Sequence, residues 1–290
     1  MKRLAALLEL MRPRQWVKNG FVLIGLLFGH AWRDPAMVEA ALVATAAFCL
    51  ASSAVYAFND ARDAQHDRNH PDKRHRPVAR NAVSSAEAGL LSAILSIASL
   101  VLAMSVSWTA AALIAGYVAM SYAYSLGVKR VPVLDVVIIA AGFMLRLLAG
   151  TLGIGIEPSN WLIACGFLLT LFLGFGKRRA EIGRLAEGAG RHRAVLEHYS
   201  AAFLDKAIML CAAGMTIAYA AYTLSAETAQ LHGTGRLAWT LPWVLLGTLR
   251  YLYRLKRRGG GGDPAEELLR DPVLAAAATG WVATVLWLIG

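Results

Sequence analysis

Asn59-Asp60-Ala61-Arg62-Asp63-Ala64-Gln65-His66-Asp67 stands where a long apolar segment, residues 36–58, runs out into charge. In a helix that continues past Phe58, Asn59, Asp63 and Asp67 fall at i, i+4 and i+8 and stack on one face. Carboxylates at that spacing repel unless a cation lies among them. The natural neutraliser is a hard divalent ion, and Mg2+ takes one or two carboxylates, several waters and substrate phosphate oxygens. Asp60 is one residue off this stripe, expected either to support the ligands or to face water. The competing reading is a solvated helix end near a membrane surface, where Asp and Arg mix without strict period.

Working outward, the 290 residues are 57% hydrophobic and only 17% charged, whereas soluble domains carry about a quarter charged residues. Crossing a bilayer takes about 20 apolar residues. Nine stretches qualify or come close: 17–32, 36–58, 86–106, 108–126, 133–153, 160–176, 203–225, 238–253 and 272–289, the first and sixth being short. The charged, amphipathic segment before Val17 has no small-residue cleavage site, so it is not read as a removable signal. Cys49, Cys165 and Cys211 lie singly in apolar runs and read as small core residues, with neither a disulfide framework nor a metal site indicated.

A net charge of +10 could suit nucleic acid, but its distribution argues otherwise. All but Arg33, Arg146 and Arg236 of the 29 Lys and Arg lie in, or at the edges of, the N-terminal segment and the connections after spans 2, 4, 6 and 8. The positive-inside rule then places the N-terminus and those connections in the cytoplasm and the C-terminus outside. Separate basic loops on one side of a membrane form no nucleic-acid reading module.

Chemistry is expected on that side. In His70-Pro71-Asp72-Lys73-Arg74-His75-Arg76-Pro77 the prolines interrupt helix and leave an irregular loop, in which Lys73, Arg74 and Arg76 converge on an anion. Gln15, Lys18 and Asn19 enter span 1, and Arg146 lies halfway along span 5. An arginine there calls either for an acidic partner or for a binding role. Lys177-Arg178-Arg179-Ala180-Glu181 ends span 6, followed by Arg184, Arg191, His192 and Arg193, while Gly259 to Gly262 reads as a lid or a plain linker.

Asn59-x3-Asp63-x3-Asp67 after span 2, nine spans and Arg76-Pro77 together resemble the UbiA superfamily of intramembrane prenyltransferases. Four further blocks are similar to its decaprenyl-phosphate phosphoribosyltransferase branch: Arg12-Pro13-x-Gln15-Trp16-x-Lys18-Asn19, Lys177 to Glu181, Tyr199-Ser200-x2-Phe203-Leu204-Asp205 and Glu267-Leu268-Leu269-Arg270-Asp271. One departure stands out: no Asp-x3-Asp occurs between Lys177 and Asp205, where aromatic prenyltransferases carry a second acidic motif.

The resemblance implies an all-α integral membrane protein, a single domain over 1–290, with nine transmembrane helices around a central cavity open to the cytoplasm. It implies Mg2+-dependent transfer of 5-phosphoribose from phosphoribosyl diphosphate to a polyprenyl phosphate in the inner membrane, toward cell-envelope arabinan. Self-association is left open. On this reading Asn59, Asp63 and Asp67, with Asp60 in support, hold Mg2+ and diphosphate, and Lys73, Arg74 and Arg76 cradle the leaving group. Lys177, Arg178 and Arg179 take the donor's 5-phosphate and Lys18, Lys129 and Arg146 the lipid phosphate, the basic clusters being interchangeable among the phosphates; Tyr199 is a further substrate-binding residue. The alternatives are prenyl transfer to an aromatic acceptor and, in another class, transport of a lipid or small anion, for which no internal repeat is evident.

Overall fold

Pro35 opens a helix that nothing interrupts for 34 residues, Pro35–Arg68. Asp34 caps it by accepting from the Ala36 and Met37 amides, and Pro35 takes the first helical position, where a missing N–H is harmless. At about 1.5 Å per residue the helix runs roughly 51 Å, against about 30 Å of hydrocarbon in a bilayer. Residues 36–58 suffice to cross, so the acidic turns beyond Phe58 are surplus length.

A computed structural model describes residues 2–69, 73–186, 194–258, 267–268 and 270–289, and every regular element among them is helical. The chain divides into two compact units, residues 1–158 and 159–290. The first holds α1 (Lys2–Met11), a 3-10 stretch (Pro13–Leu23), α2 (Ile24–Phe28), α3 (Pro35–Arg68), α4 (Ser85–Met104), α5 (Trp108–Leu126) and α6 (Leu134–Ala149).

Helix α3 packs chiefly on α4. The buried face of α3 includes Ala41, Ala44, Ala47, Ala51, Ala54 and Ala57, and that of α4 is Ala88, Ser92, Leu95, Ser99 and Ala103. In lipid, small side chains at this spacing let backbones close up, and packing plus interhelical hydrogen bonds drive association. Ser92 Oγ donates to the Ala54 carbonyl at 2.7 Å across the seam. The opposite face of α4, Leu90, Ile94, Ile97 and Val101, is exposed, the stripe that such a helix leaves to lipid.

A second apolar cluster, Ala6, Leu10, Ala57, Ala64, Val78, Val83 and Ala88, fastens α1 and the loop before α4 to the charged end of α3. The Ala82 and Val83 amides both donate to the Pro77 carbonyl, and Arg68 donates to the Ala79 carbonyl and the Asn81 side chain. The described part of this loop is therefore anchored at Pro77 and over the residues that follow it. His70, Pro71 and Asp72 lie outside the described residues.

The second unit holds α7 (Asn160–Ala186), α8 (Ala201–Leu224), α9 (Ala226–His232), α10 (Leu241–Arg258) and α11 (Pro272–Ile289). Asp271 caps α11 through the Val273 and Leu274 amides and pairs with Arg250 and Arg254 of α10. The Arg250 guanidinium, together with the cap amides and Arg254, holds the Asp271 carboxyl well below the usual carboxylate range. Its clamp therefore persists through mild acid and is lost only as pH falls through that depressed value. Arg191, His192, Arg193 and Gly259 to Gly262 lie outside the described residues.

Among the described residues seven helices are long and apolar enough to cross a membrane, and they match expected spans 2 to 7 and 9. Span 1 is instead the 3-10 stretch running into short α2. Span 8 is α10, whose last turns carry Arg250, Arg254, Lys256, Arg257 and Arg258. Cys211 is buried and Cys49 and Cys165 are partly buried.

The break in span 1 has a packing cause. A Cβ on Gly25 would overlap the Gly150 carbonyl oxygen, and one on Gly150 would overlap the Val22 carbonyl oxygen. Gly150→Ala is expected to destabilise by at least about 2 kcal/mol, whereas Gly89→Ala, with nothing near its Cβ, is expected to be neutral or to stabilise by up to about 1 kcal/mol. Thermal unfolding in detergent checks both; native-like melting of Gly150→Ala would remove the close approach.

Candidate active site

At about 100° per residue, residues seven apart lie within roughly 20° of each other on a helix, whereas residues eight apart diverge by roughly 80°. Asp60 and Asp67 therefore share the inward face of α3, and both are buried. Asn59 and Asp63 are only partly buried. The expected stripe is corrected accordingly. Asp60, taken as an off-stripe residue supporting the ligands or facing water, lies at the centre of the acidic face.

Three cations from three elements meet these carboxylates. Arg76 Nη1 donates to Asp60 Oδ1 at 3.1 Å and to Asp67 Oδ2 at 2.7 Å, bridging the two. Arg12 Nη2 donates to the same Asp60 oxygen at 2.6 Å. Lys129, on a 3-10 turn (Val128–Arg130) after α5, reaches both Asp63 oxygens at 2.9 and 2.7 Å. Two buried carboxylates without such partners would each cost several kcal/mol, and deleting one partner of a buried pair typically costs about 3–5 kcal/mol.

These positions differ from expectation. Arg76 faces the acidic residues. Arg74 is exposed beside His75 and so does not join Arg76 there, while Lys73 is partly buried. The cluster at Ala64, Val78 and Val83 turns Arg76 inward and leaves Arg74 outside. Lys129, expected on a lipid phosphate, joins the acidic face because α5 ends beside the last turns of α3.

Arg12 was missed as a site residue. Pro13 disfavours right-handed helix at the residue before it, and Arg12 takes a left-handed conformation, φ 53°, which ends α1. Its guanidinium lies 4.8 Å from the centre of the Tyr56 ring, one turn before Asp60. The legible signal was Tyr56 and Asp60 at i, i+4.

One oxygen stands apart: Asp60 Oδ2 is buried and has no hydrogen-bond partner. Among the described residues no group of three or more His, Cys, Asp or Glu is gathered tightly enough to hold a metal ion. The expected four-residue metal set is thus not assembled, since its carboxylates are drawn onto Arg and Lys. The orphaned oxygen, with the Asp67 carboxylate near it, still fits a cation that draws remaining ligands from substrate or water.

Arg146 is buried among neutral partners. It donates to Asn19 Oδ1 at 2.8 Å, the Gly142 carbonyl at 2.8 Å and Tyr117 Oη at 2.9 Å, with the Tyr117 and Phe143 rings within 4.6 and 5.3 Å. Neither an acidic partner nor an exposed binding position is what the structure gives it. Asn19 passes the contact on to Ser52 and Cys49 of α3, and Trp16 bonds Ser53. The 3-10 stretch bearing partly buried Lys18 is thereby pinned to α3 and α6.

In the second unit, Lys177, Arg178 and Arg179 are consecutive on α7, where successive residues are about 100° apart. Arg178 is buried and pairs with Glu181 at 2.6 Å, and Arg179 pairs with Asp205 at 2.8 Å. Tyr199 is buried and stacks on Phe203. Arg178 and Arg179 are thus each tied to a carboxylate.

Known proteins share both sequence and fold with this chain. A protein of Mycolicibacterium smegmatis named decaprenyl-phosphate phosphoribosyltransferase is 34% identical over 97% of this chain and 91% of its own length. One of the same name from Corynebacterium glutamicum is 32% identical over 97% and 85%. A UbiA homolog from Archaeoglobus fulgidus, solved bound to GPP and Mg2+, superposes with a TM-score of 0.75 at 19% identity, covering 98% of this chain and 99% of that one. The model of the UbiA prenyltransferase family matches residues 20–259, across the boundary between the two units. Those matches and the apolar helices make the chain a multi-pass membrane protein, and it belongs to the UbiA prenyltransferase family.

Proposed function

We propose that this chain transfers a 5-phosphoribosyl group from phosphoribosyl diphosphate to a polyprenyl phosphate of the decaprenyl type, releasing diphosphate. The observation that carries the reading is near-full-length similarity, at 32–34% identity, to proteins bearing that name. The departure from a second Asp-x3-Asp motif supports it against prenyl transfer to an aromatic acceptor.

In the reaction, the bond from ribose C1 to the diphosphate oxygen breaks, its electron pair leaving with diphosphate, and a lipid phosphate oxygen forms the new bond to C1. The acceptor is already anionic, so no side chain has to remove a proton. The protein's task is to stabilise the departing diphosphate more than the bound donor. Asp60, Asp63 and Asp67, with Asn59 beside them, would hold Mg2+, which when bound offsets charge gathering on the leaving group. The orphaned Asp60 oxygen supports this assignment.

Arg76 and Lys129 stand within contact of those carboxylates and would grip diphosphate oxygens, with Lys73 and Arg74 as further cations on the same loop. Lys18 is assigned to the lipid phosphate. Arg146 is assigned to holding Lys18's segment in place through Asn19.

We read the chain as one domain crossing the inner membrane nine times, its basic loops and active site in the cytoplasm and its C-terminus outside. The 3-10 stretch rises about 2.0 Å per residue, so with α2 it spans roughly 30 Å, one hydrocarbon thickness. The distribution of Lys and Arg supports the orientation.

Purified protein given labelled phosphoribosyl diphosphate, decaprenyl phosphate and Mg2+ is expected to move label into the lipid phase. Turnover only of prenyl diphosphate with an aromatic acceptor would overturn the proposal. Asp63→Asn and Asp67→Asn are each expected to cut metal-dependent transfer at least about 100-fold, with membrane insertion unchanged; full activity in both would remove them from the site. A reporter fused after Gly290 should be active outside the cytoplasm, and a cytoplasmic signal would refute the odd number of crossings.

A further inference from the structure

The three aspartates and the three cations that touch them are equal in number, and the contacts that neutralise the site are the ones its ligands would need. Arg76 occupies one oxygen each of Asp60 and Asp67 and Lys129 both oxygens of Asp63, so a metal on those carboxylates, or a phosphate on those cations, competes with the pairs. Asp60 Oδ2, buried and unpartnered, marks where the arrangement leaves an acceptor unmet.

We propose that Arg76 and Lys129 are exchangeable counterions: they neutralise the aspartates until a divalent cation takes over, and are then handed to the diphosphate. Arg12 is the fixed member, because its guanidinium is also held over the Tyr56 ring and its backbone is pinned at the turn ending α1. Among the described residues neither Arg76 nor Lys129 lies over an aromatic ring; all three side chains are about a quarter exposed, so the ring contact and the backbone turn are what set Arg12 apart. This rests on the diphosphate reading of the site, but not on which group the diphosphate leaves.

Metal alone must push two cations off their carboxylates and give them nothing in return, so it binds weakly. With diphosphate present the displaced cations gain new oxygens. Metal and diphosphate therefore tighten each other by the same factor, as linkage requires.

The test uses full-length protein in lipid nanodiscs, titrated calorimetrically with Mn2+ alone and with inorganic diphosphate, corrected for their complex in solution. In the native chain diphosphate is expected to tighten Mn2+ about tenfold or more, the worth of one charge-assisted hydrogen bond. In Arg76→Gln and Lys129→Gln, Mn2+ alone is expected to bind about three- to tenfold tighter than in the native chain, and the enhancement by diphosphate to shrink. Arg80→Gln removes the same charge from the loop, where Arg80 pairs with Glu9, and sets the through-space effect.

If Arg76→Gln fails to fold because two buried carboxylates are stranded, Lys129→Gln, at a partly exposed pair, decides alone. Mn2+ binding no tighter than in Arg80→Gln would overturn the exchange, showing these side chains to be structural or purely donor ligands. Absence of phosphoribosyl transfer by the native chain would end the proposed function and leave this result readable.

Discussion

Three carboxylates on the last turns of one helix, two of them out of water, must be neutralised, and that requirement shapes the first unit. Helix α3 supplies Asp60, Asp63 and Asp67, and three separate elements deliver a cation to them: the end of α1, the loop before α4 and the turn after α5. Each is bound to the same end of α3 by charge as much as by apolar contact. The alanines that close α3 onto α4 and the cluster around Val78 and Val83 set the distances at which those pairs form. Packing and electrostatics here are one constraint, because a helix seam any looser would leave the carboxylates unpaired.

Much of this was legible in the sequence. The apolar run ending at Phe58, the unbroken helix through Asp67 and the prolines marking the next loop follow from local physics, and residues 36–58 form the expected crossing. Span 1 was less legible, because its shape answers to Gly150, some 125 residues away, whose backbone admits only Gly25 beside it. The i, i+4, i+8 stripe placed Asp60 wrongly for a simpler reason. Over two turns the drift of a 3.6-residue period outweighs nominal i+4 stacking.

Basic residues were the least legible part. Lys and Arg counts argued for sidedness but could not say which cation meets which carboxylate, since long flexible side chains are directed by tertiary contact. Arg12 looked like an ordinary juxtamembrane charge, and only Tyr56 and Asp60 on one face of α3 give it a different meaning. Arg146 was expected to need an acid or a ligand. Aromatic faces, an amide and a carbonyl satisfy it instead, which is affordable because a guanidinium is delocalised and weakly hydrated.

The two arginine solutions divide labour within one unit. Arg146, buried and surrounded by neutral groups, has no competing anion to leave for, so it serves as a fixed strut between the 3-10 stretch and helices α5 and α6. Arg76 and Lys129 instead hold charged partners, and each of the two side chains is about a quarter exposed. Arg146 keeps the 3-10 stretch in register with α6, and the paired cations offset repulsion among the carboxylates at the end of α3.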